Sequence, residues 1–167
     1  MEPLIFSLDP GVSKMGWALT NYDGKTIDYG FWTDPLNAKF AFNKRMNRQI
    51  HALITHFTTQ LDKNVKRVVW EVVPAFGQMQ NKDLVQATCI TLKVLTFQRG
   101  LEYQEYQARS WHKLFLGKAS CTKEEVKSKV LESESISDDV TYDVYDAIAI
   151  GKVSAREDKW DYFNDLP

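Results

Sequence analysis

Cysteine is scarce in this chain: Cys89 and Cys121 are the two among 167 residues, and their separation fits no metal-binding pair. A multi-bridge disulfide scaffold is excluded, and a reducing, cytoplasmic compartment is the expectation. Histidine is nearly as rare. His51, His56 and His112 show no zinc-type spacing. No apolar run approaches the roughly 18 residues that span a membrane, and the N-terminus lacks the basic, apolar, small-residue order of a secretory leader. No membrane partner is therefore expected. Nor is there an excess of one charge, since the formal net is -1. Repeats and low-complexity segments are absent. What is there, 44% apolar and 26% charged residues, fits one soluble domain over 1–167, with a core over about 4–155 and a charged tail over 156–167.

The charge that nets to nearly zero is unevenly placed. Six Lys or Arg against two Glu lie between Arg109 and Val130, while ten Asp or Glu against three Lys or Arg lie from Leu131 onward. A basic surface beside an acidic one suits a metal-dependent enzyme acting on a polyanion, and equally two solvated faces.

Hydrophobic patterning predicts strands over Leu4–Asp9, Lys14–Asn21 and Lys25–Trp32, the last two joined by an Asp23-Gly24 hairpin. Asp34-Pro35 breaks the pattern. A helix follows over Ala38–Leu61, then a strand over Val65–Val73, and a loop with Pro and Gly to Gln80. A helix over Asp83–Arg99 opens at Asn81, and a strand covers Glu102–Tyr106. Three helices close the chain, over Ala108–Leu116, Thr122–Leu131 and Asp139–Ser154. Thr122 and Glu125 have the spacing of a capping box. The expected class is α/β: a five-stranded mixed sheet, three antiparallel strands then two parallel, flanked by helices. That order is the order of the ribonuclease H-like fold.

Four acids stand where surface acids usually do not. Asp9 ends an apolar strand, and Glu71 sits inside V-V-W-E-V-V. Asp143 and Asp146 are three apart, hence on one helix face, and the small Ala147 and Ala149 let that helix approach a sheet closely. Each acid alone has a plain structural reading: a turn cap, a pair with Lys66 or Arg67, a first-turn acid favoured by the helix dipole. Together they are buried like charges that raise one another's pKa unless a cation joins them. All-oxygen ligation selects Mg²⁺ or Mn²⁺, and two such ions would serve phosphodiester cleavage.

At these residues the chain resembles the RuvC-type Holliday junction resolvases. S-L-D-P-G-V-S-K-M-G-W-A-L (Ser7–Leu19) is similar to their first motif, and W-E-V-V to their second-strand acid motif. Y-Q-A-R-S-W-H-K-L-F-L-G-K-A-S-C-T-K (Tyr106–Lys123) is similar to their Tyr-Ala-Arg stretch with a glycine turn and lysine. D-V-Y-D-A-I-A-I is similar to the closing acidic helix. The resemblance runs from about Leu4 to Ser154, with the motifs in family order. It implies a homodimeric endonuclease, with two Mg²⁺ per site and Mn²⁺ as a substitute, that nicks four-way junctions or other branched DNA symmetrically in recombination, repair or phage DNA processing. Asp9, Glu71, Asp143 and Asp146 fall on the four catalytic and metal-binding carboxylates, and Lys123 on the lysine beside the scissile phosphate. Lys113 falls one place from a second family lysine. Arg45, Arg48, Lys82, Arg109 and Lys118 are expected phosphate contacts.

The family's junction-wedging aromatic would stand at Pro74. Phe76, two residues on, is the expected substitute. These departures and the compact length resemble a phage-encoded branch of the family. D-P-G-V-S-K-M-G also resembles the phosphate-binding motif of actin-like ATPases, but those need two such domains, so no nucleotide cofactor is expected. An RNA-processing nuclease of the same superfamily and a junction-binding protein without turnover are the other readings.

Overall fold

The computed structural model describes residues 2–11, 14–33, 42–61, 63–72 and 82–164. Within them the elements are β1 (Leu4–Pro10), β2 (Lys14–Asn21), β3 (Thr26–Thr33), α1 (Phe42–Leu61), β4 (Val65–Val72), α2 (Lys82–Gln98), β5 (Glu102–Gln107), α3 (Ala108–Leu116), α4 (Lys123–Leu131) and α5 (Tyr142–Asn164). Phe76, Pro74, Asp34-Pro35 and the Asn81 cap lie outside the described residues.

The strands form a five-stranded sheet in the order β3-β2-β1-β4-β5. β1, β2 and β3 pair antiparallel, and β4 joins β1, then β5 joins β4, in parallel. The expected mixed sheet and the ribonuclease H-like fold are therefore present, with β1 in the middle. The hairpin between β2 and β3 turns as its Asp23-Gly24 pair dictates. Gly24 sits at φ 86°, and Asn21 Oδ1 accepts from the backbone N–H of Asp23 and Lys25. Those bonds hold Lys25 in the turn, so β3 starts one residue later than the alternation predicts.

Side chains of the central strands divide between two cores. Phe6, Leu8, Val68 and Trp70 point to one face, where they meet Leu53 and Phe57 of α1 and Val85 and Leu92 of α2. Ile5, Ala18 and Val69 point to the other, against Val144, Ile148 and Val153 of α5 and Trp111 and Phe115 of α3. Burial on both faces explains why consecutive residues are apolar in the middle of these strands, Leu4–Phe6 in β1 and Val68–Trp70 in β4.

α5 differs from its expected bounds at both ends. It starts at Tyr142 rather than Asp139, because Asp139 N–H bonds Ser137 Oγ in a turn at 3.3 Å, and the first helical bond is Val144 N to Thr141 O. It runs ten residues further, to Asn164, in a stretch with neither proline nor glycine to stop it. Small residues seat it on the sheet, as expected: Ala147 and Ala149 are fully buried. Gly151 and Gly16 add to this. A Cβ on Gly151 would lie 2.6 Å from Thr20 Oγ1, and one on Gly16 would lie 2.0 Å from the Asp143 carbonyl oxygen. The described helices include none long and apolar enough to cross a membrane.

Candidate active site

β1 and β4 run parallel, with Leu8 opposite Trp70. Asp9 and Glu71 are each the next residue, so the two carboxylates stand side by side at the same end of neighbouring strands. Both are two residues beyond side chains that face α5, namely Ser7 and Val69, and strand alternation turns them to that same face. There α5 crosses β2 and β1. Gly16, paired with Asp9 on β2, lets the first turn of α5 come within backbone contact. Asp143 and Asp146 arrive over Asp9 as a result. Asp9, Glu71, Asp143, Asp146 and Lys123 all line one cavity of about 400 Å³. Pro10, Gly11, Ala108, Trp111, His112, Cys121, Thr122 and Val126 complete its wall.

The backbone beyond Asp9 is held from the opposite face of the sheet. Gln49 of α1 donates through Nε2 to the Gly11 carbonyl at 2.8 Å and to Thr88 Oγ1 of α2 at 3.0 Å. Gly11 itself has no room for a side chain, since a Cβ there would sit 2.1 Å from the Lys14 carbonyl oxygen.

Lys123 is the first residue of α4. Thr122 caps that helix: its hydroxyl accepts from Glu125 N–H at 3.2 Å, and Glu125 Oε2 accepts from Thr122 N–H at 2.8 Å. The predicted capping box is thus formed, and it fixes where Lys123 leaves the backbone. Lys123 Nζ lies 3.5 Å from Asp143 Oδ1 and 3.9 Å from Asp146 Oδ2. Burial opposes its charge, but Asp146, Asp143 and Asp9 carry its pKa above the usual lysine value.

One lysine does not offset four acids. Burial, then Glu71, Asp146 and Asp143, push the Asp9 carboxyl well above the ordinary range, with Lys123 pulling the other way. Burial takes Asp146 up to about 7, against Lys123, with Glu71 and Asp143 adding to the rise. Burial also raises Glu71, moderated by a hydrogen bond from Trp111 and by Lys123. Among the described residues no three acid, His or Cys side chains close on a single point. Glu71 turns toward Trp111, and Asp143 and Asp146 toward Lys123. The donor set is all oxygen, gathered in one cavity and undercompensated, which fits a hard divalent cation.

The other basic residues lie outside this cavity wall. Arg109 and Lys113 are exposed on α3, and Lys118 pairs with Glu125. Arg48 is exposed and Arg45 half-buried on the N-terminal half of α1, the half that Gln49 joins to Gly11; Lys82 opens α2. Of the neighbouring pair His112 and Lys113 on α3, His112 lines the cavity and Lys113 does not. Burial lowers the pKa of His112 and the backbone of Ala119 partly restores it. Trp111 and His112 are wall residues to which the sequence alone gives no role. Their signal was weak: an aromatic with helical spacing reads as core, and Trp111 is also that.

No protein-family model matches the chain, and no curated protein matches it by sequence. Solved structures do match. Thermus thermophilus RuvC superposes with a TM-score of 0.70 over 95% of this chain and 96% of its own, at 19% identity. The same protein in complex with a Holliday junction substrate gives 0.65 at 16% identity, over the same shares. The yeast mitochondrial Holliday junction resolvase Ydc2 gives 0.57 at 14% identity, over 95% of this chain and 80% of its own. Over 95% of its length, then, this chain has the fold of the RuvC-type resolvases.

Proposed function

We propose that the protein is a metal-dependent endonuclease that nicks four-way junctions and other branched DNA. The observation that carries the reading is the convergence of Asp9 from β1, Glu71 from β4 and Asp143 and Asp146 from α5 on one cavity, with Lys123 at its rim. The likeness to RuvC with its junction substrate supports DNA as the ligand. In this reading Asp9, Glu71, Asp143 and Asp146 hold two Mg²⁺, with Mn²⁺ as a substitute. Bound there, the ions would supply the Lewis acidity that phosphodiester hydrolysis needs.

The chain's own groups do the rest. Lys123 faces the position of the scissile phosphate and offsets the charge that builds on it. Phe76 opens the junction. Arg45, Arg48, Lys82, Arg109, Lys113 and Lys118 contact phosphates of the DNA arms, so affinity falls steeply with salt. Two copies act together, because a four-way junction offers two equivalent strands and a two-fold protein matches them.

The test is a Mg²⁺ titration of nicking on a synthetic four-way junction, beside an RNA hairpin. Wild-type protein is expected to nick the junction only with metal. Asp146→Asn should lose nicking while binding the junction in a gel-shift assay as wild type does. Metal-independent nicking would remove the two-ion reading, and cleavage of the RNA alone would reassign the substrate.

A further inference from the structure

Trp111 is 1% exposed in the core beneath α3, and its indole N–H donates to Glu71 Oε2 at 2.7 Å. The two residues are 40 apart in sequence, and the fold brings them together directly. β5 runs into α3 without a loop, from Gln107 to Ala108, and Glu71 is paired with Tyr106 one strand over. The first turn of α3 is therefore delivered over the end of β4. Phe115, one turn later on the same helix face, anchors α3 in the same core, and His112 packs edge-on against the Trp111 ring at 4.0 Å.

We propose that Trp111 is a positioning residue that holds the Glu71 carboxylate in the orientation that takes a divalent ion. This rests on the reading of Glu71 as a metal ligand. A free Glu side chain gives up rotamer entropy when it is fixed. A hydrogen bond to a charged group is strong enough to cover that loss. Glu71 lines the cavity, and the indole takes one of its two carboxylate oxygens, so the other stays available to an ion. The donor also suits the task chemically. Indole N–H is neutral and donates only, so it orients the acid without repelling a cation, as a lysine or arginine in that place would. Outer contacts of this kind fix ligand geometry in metal sites generally. A purely structural Trp111, whose N–H is merely satisfied by a nearby acid, would be indifferent to metal.

The experiment compares wild type with Trp111→Phe, which keeps an aromatic ring and removes the N–H. Mn²⁺ binding without DNA is followed by electron paramagnetic resonance of the free ion, and junction nicking by Mg²⁺ titration. Trp111→Phe is expected to bind Mn²⁺ roughly tenfold or more weakly. Its Mg²⁺ midpoint should rise by the same factor, with KM for the junction unchanged. Phe115→Leu thins the same core and should lower Tm without moving either metal midpoint. In an E71Q background the change to Phe should add nothing further. If Trp111→Phe does not fold, 3-benzothienylalanine in its place removes the N–H at nearly constant ring shape and carries the same expectations. Wild-type Mn²⁺ affinity in the folded variant overturns the proposal, as does an undiminished effect on E71Q. Failure of wild type itself to bind Mn²⁺ would instead bring down the ligand reading of Glu71.

Discussion

A carboxyl held near 7 makes the metal-free protein sensitive to pH in a direction that can be worked out for Asp146. An unfolded Asp ionises near 3.9, whereas in the fold burial first, with Glu71 and Asp143 and against Lys123, keeps Asp146 protonated up to about 7. Between those values the native state binds more protons than the unfolded one, so stability falls as pH rises through that window and levels off above it. For this one group the fall amounts to roughly 4 kcal/mol, or on the order of 10 °C in Tm for a chain of this size. Without metal, Tm is expected to drop between about pH 4 and 7. Asp146→Asn should flatten the drop, and Mg²⁺ should restore wild-type Tm at pH 7.5 far more than that of the variant. Differential scanning fluorimetry across pH checks this, and a wild-type profile that rises through the window would show the acids to be compensated some other way. The acids themselves are legible in the sequence because a carboxylate inside V-V-W-E-V-V or at the end of L-I-F-S-L-D is a costly placement. Trp111 is not, because its reason for being there is an oxygen 40 residues away.

The two acids of α5 reach the two acids of the sheet only because an element can come unusually close. Gly16 is where β2 yields. A methyl group there would meet the Asp143 carbonyl oxygen at 2.0 Å and the Val144 nitrogen at 2.6 Å, both backbone atoms that cannot turn aside. Gly16→Ala is therefore expected to lift the start of α5, cost about 1–3 kcal/mol or more, and lower nicking beyond what the stability loss explains. Gly151→Ala gives the contrast. Its Cβ would press on the Thr20 and Ser7 side chains, more than a turn beyond Asp146, so it should destabilise while leaving nicking nearer wild type at a temperature where both are folded. Equal losses of nicking at matched Tm would show that approach at Gly16 has no special bearing on the acids. Local signals carried much of the element order. Asp23-Gly24 marks its hairpin, and Thr122 with Glu125 marks both the start of α4 and the place of Lys123. The strands β1 and β4 show two-sided burial in their consecutive apolar residues, Leu4–Phe6 and Val68–Trp70. Close approach carries no such local signal, since Gly16 inside an alternating strand looks like a weak point until α5 is laid across it. The start of α5 is hidden for a related reason: Ser137 captures the backbone of Asp139 in a turn that its charge pattern does not reveal.

At the scale of the whole molecule, one helix face is left over. α2 buries Leu84, Val85, Cys89 and Leu92 against the sheet, yet Ile90, Val94 and Phe97 stand 62%, 49% and 82% exposed on its other side. Beside them on the edge strand, Tyr103 is also exposed and stacks on Trp70 at 5.5 Å. The resemblance implies a dimer, and this second apolar side of α2, exposed among the described residues, offers a face for it. Three such side chains from each of two copies would contribute on the order of 10 kcal/mol on full burial. The freedom lost on association costs a comparable amount, about 4–15 kcal/mol, so the pairing sits where one large side chain decides it. Around a two-fold axis each substitution counts twice. Phe97→Asp is then expected to convert a dimer to a monomer in light scattering coupled to size-exclusion chromatography, with Tm little changed, because Phe97 is exposed within one chain. Function should split in a specific way. On a supercoiled plasmid bearing a cruciform, paired cuts release linear DNA, while a single cut relaxes the circle and the cruciform is reabsorbed. Wild type should give linear product, and Phe97→Asp should give nicked circles. A variant that stays dimeric would place the interface elsewhere, and a monomer that still gives linear product would separate symmetric cleavage from dimerisation.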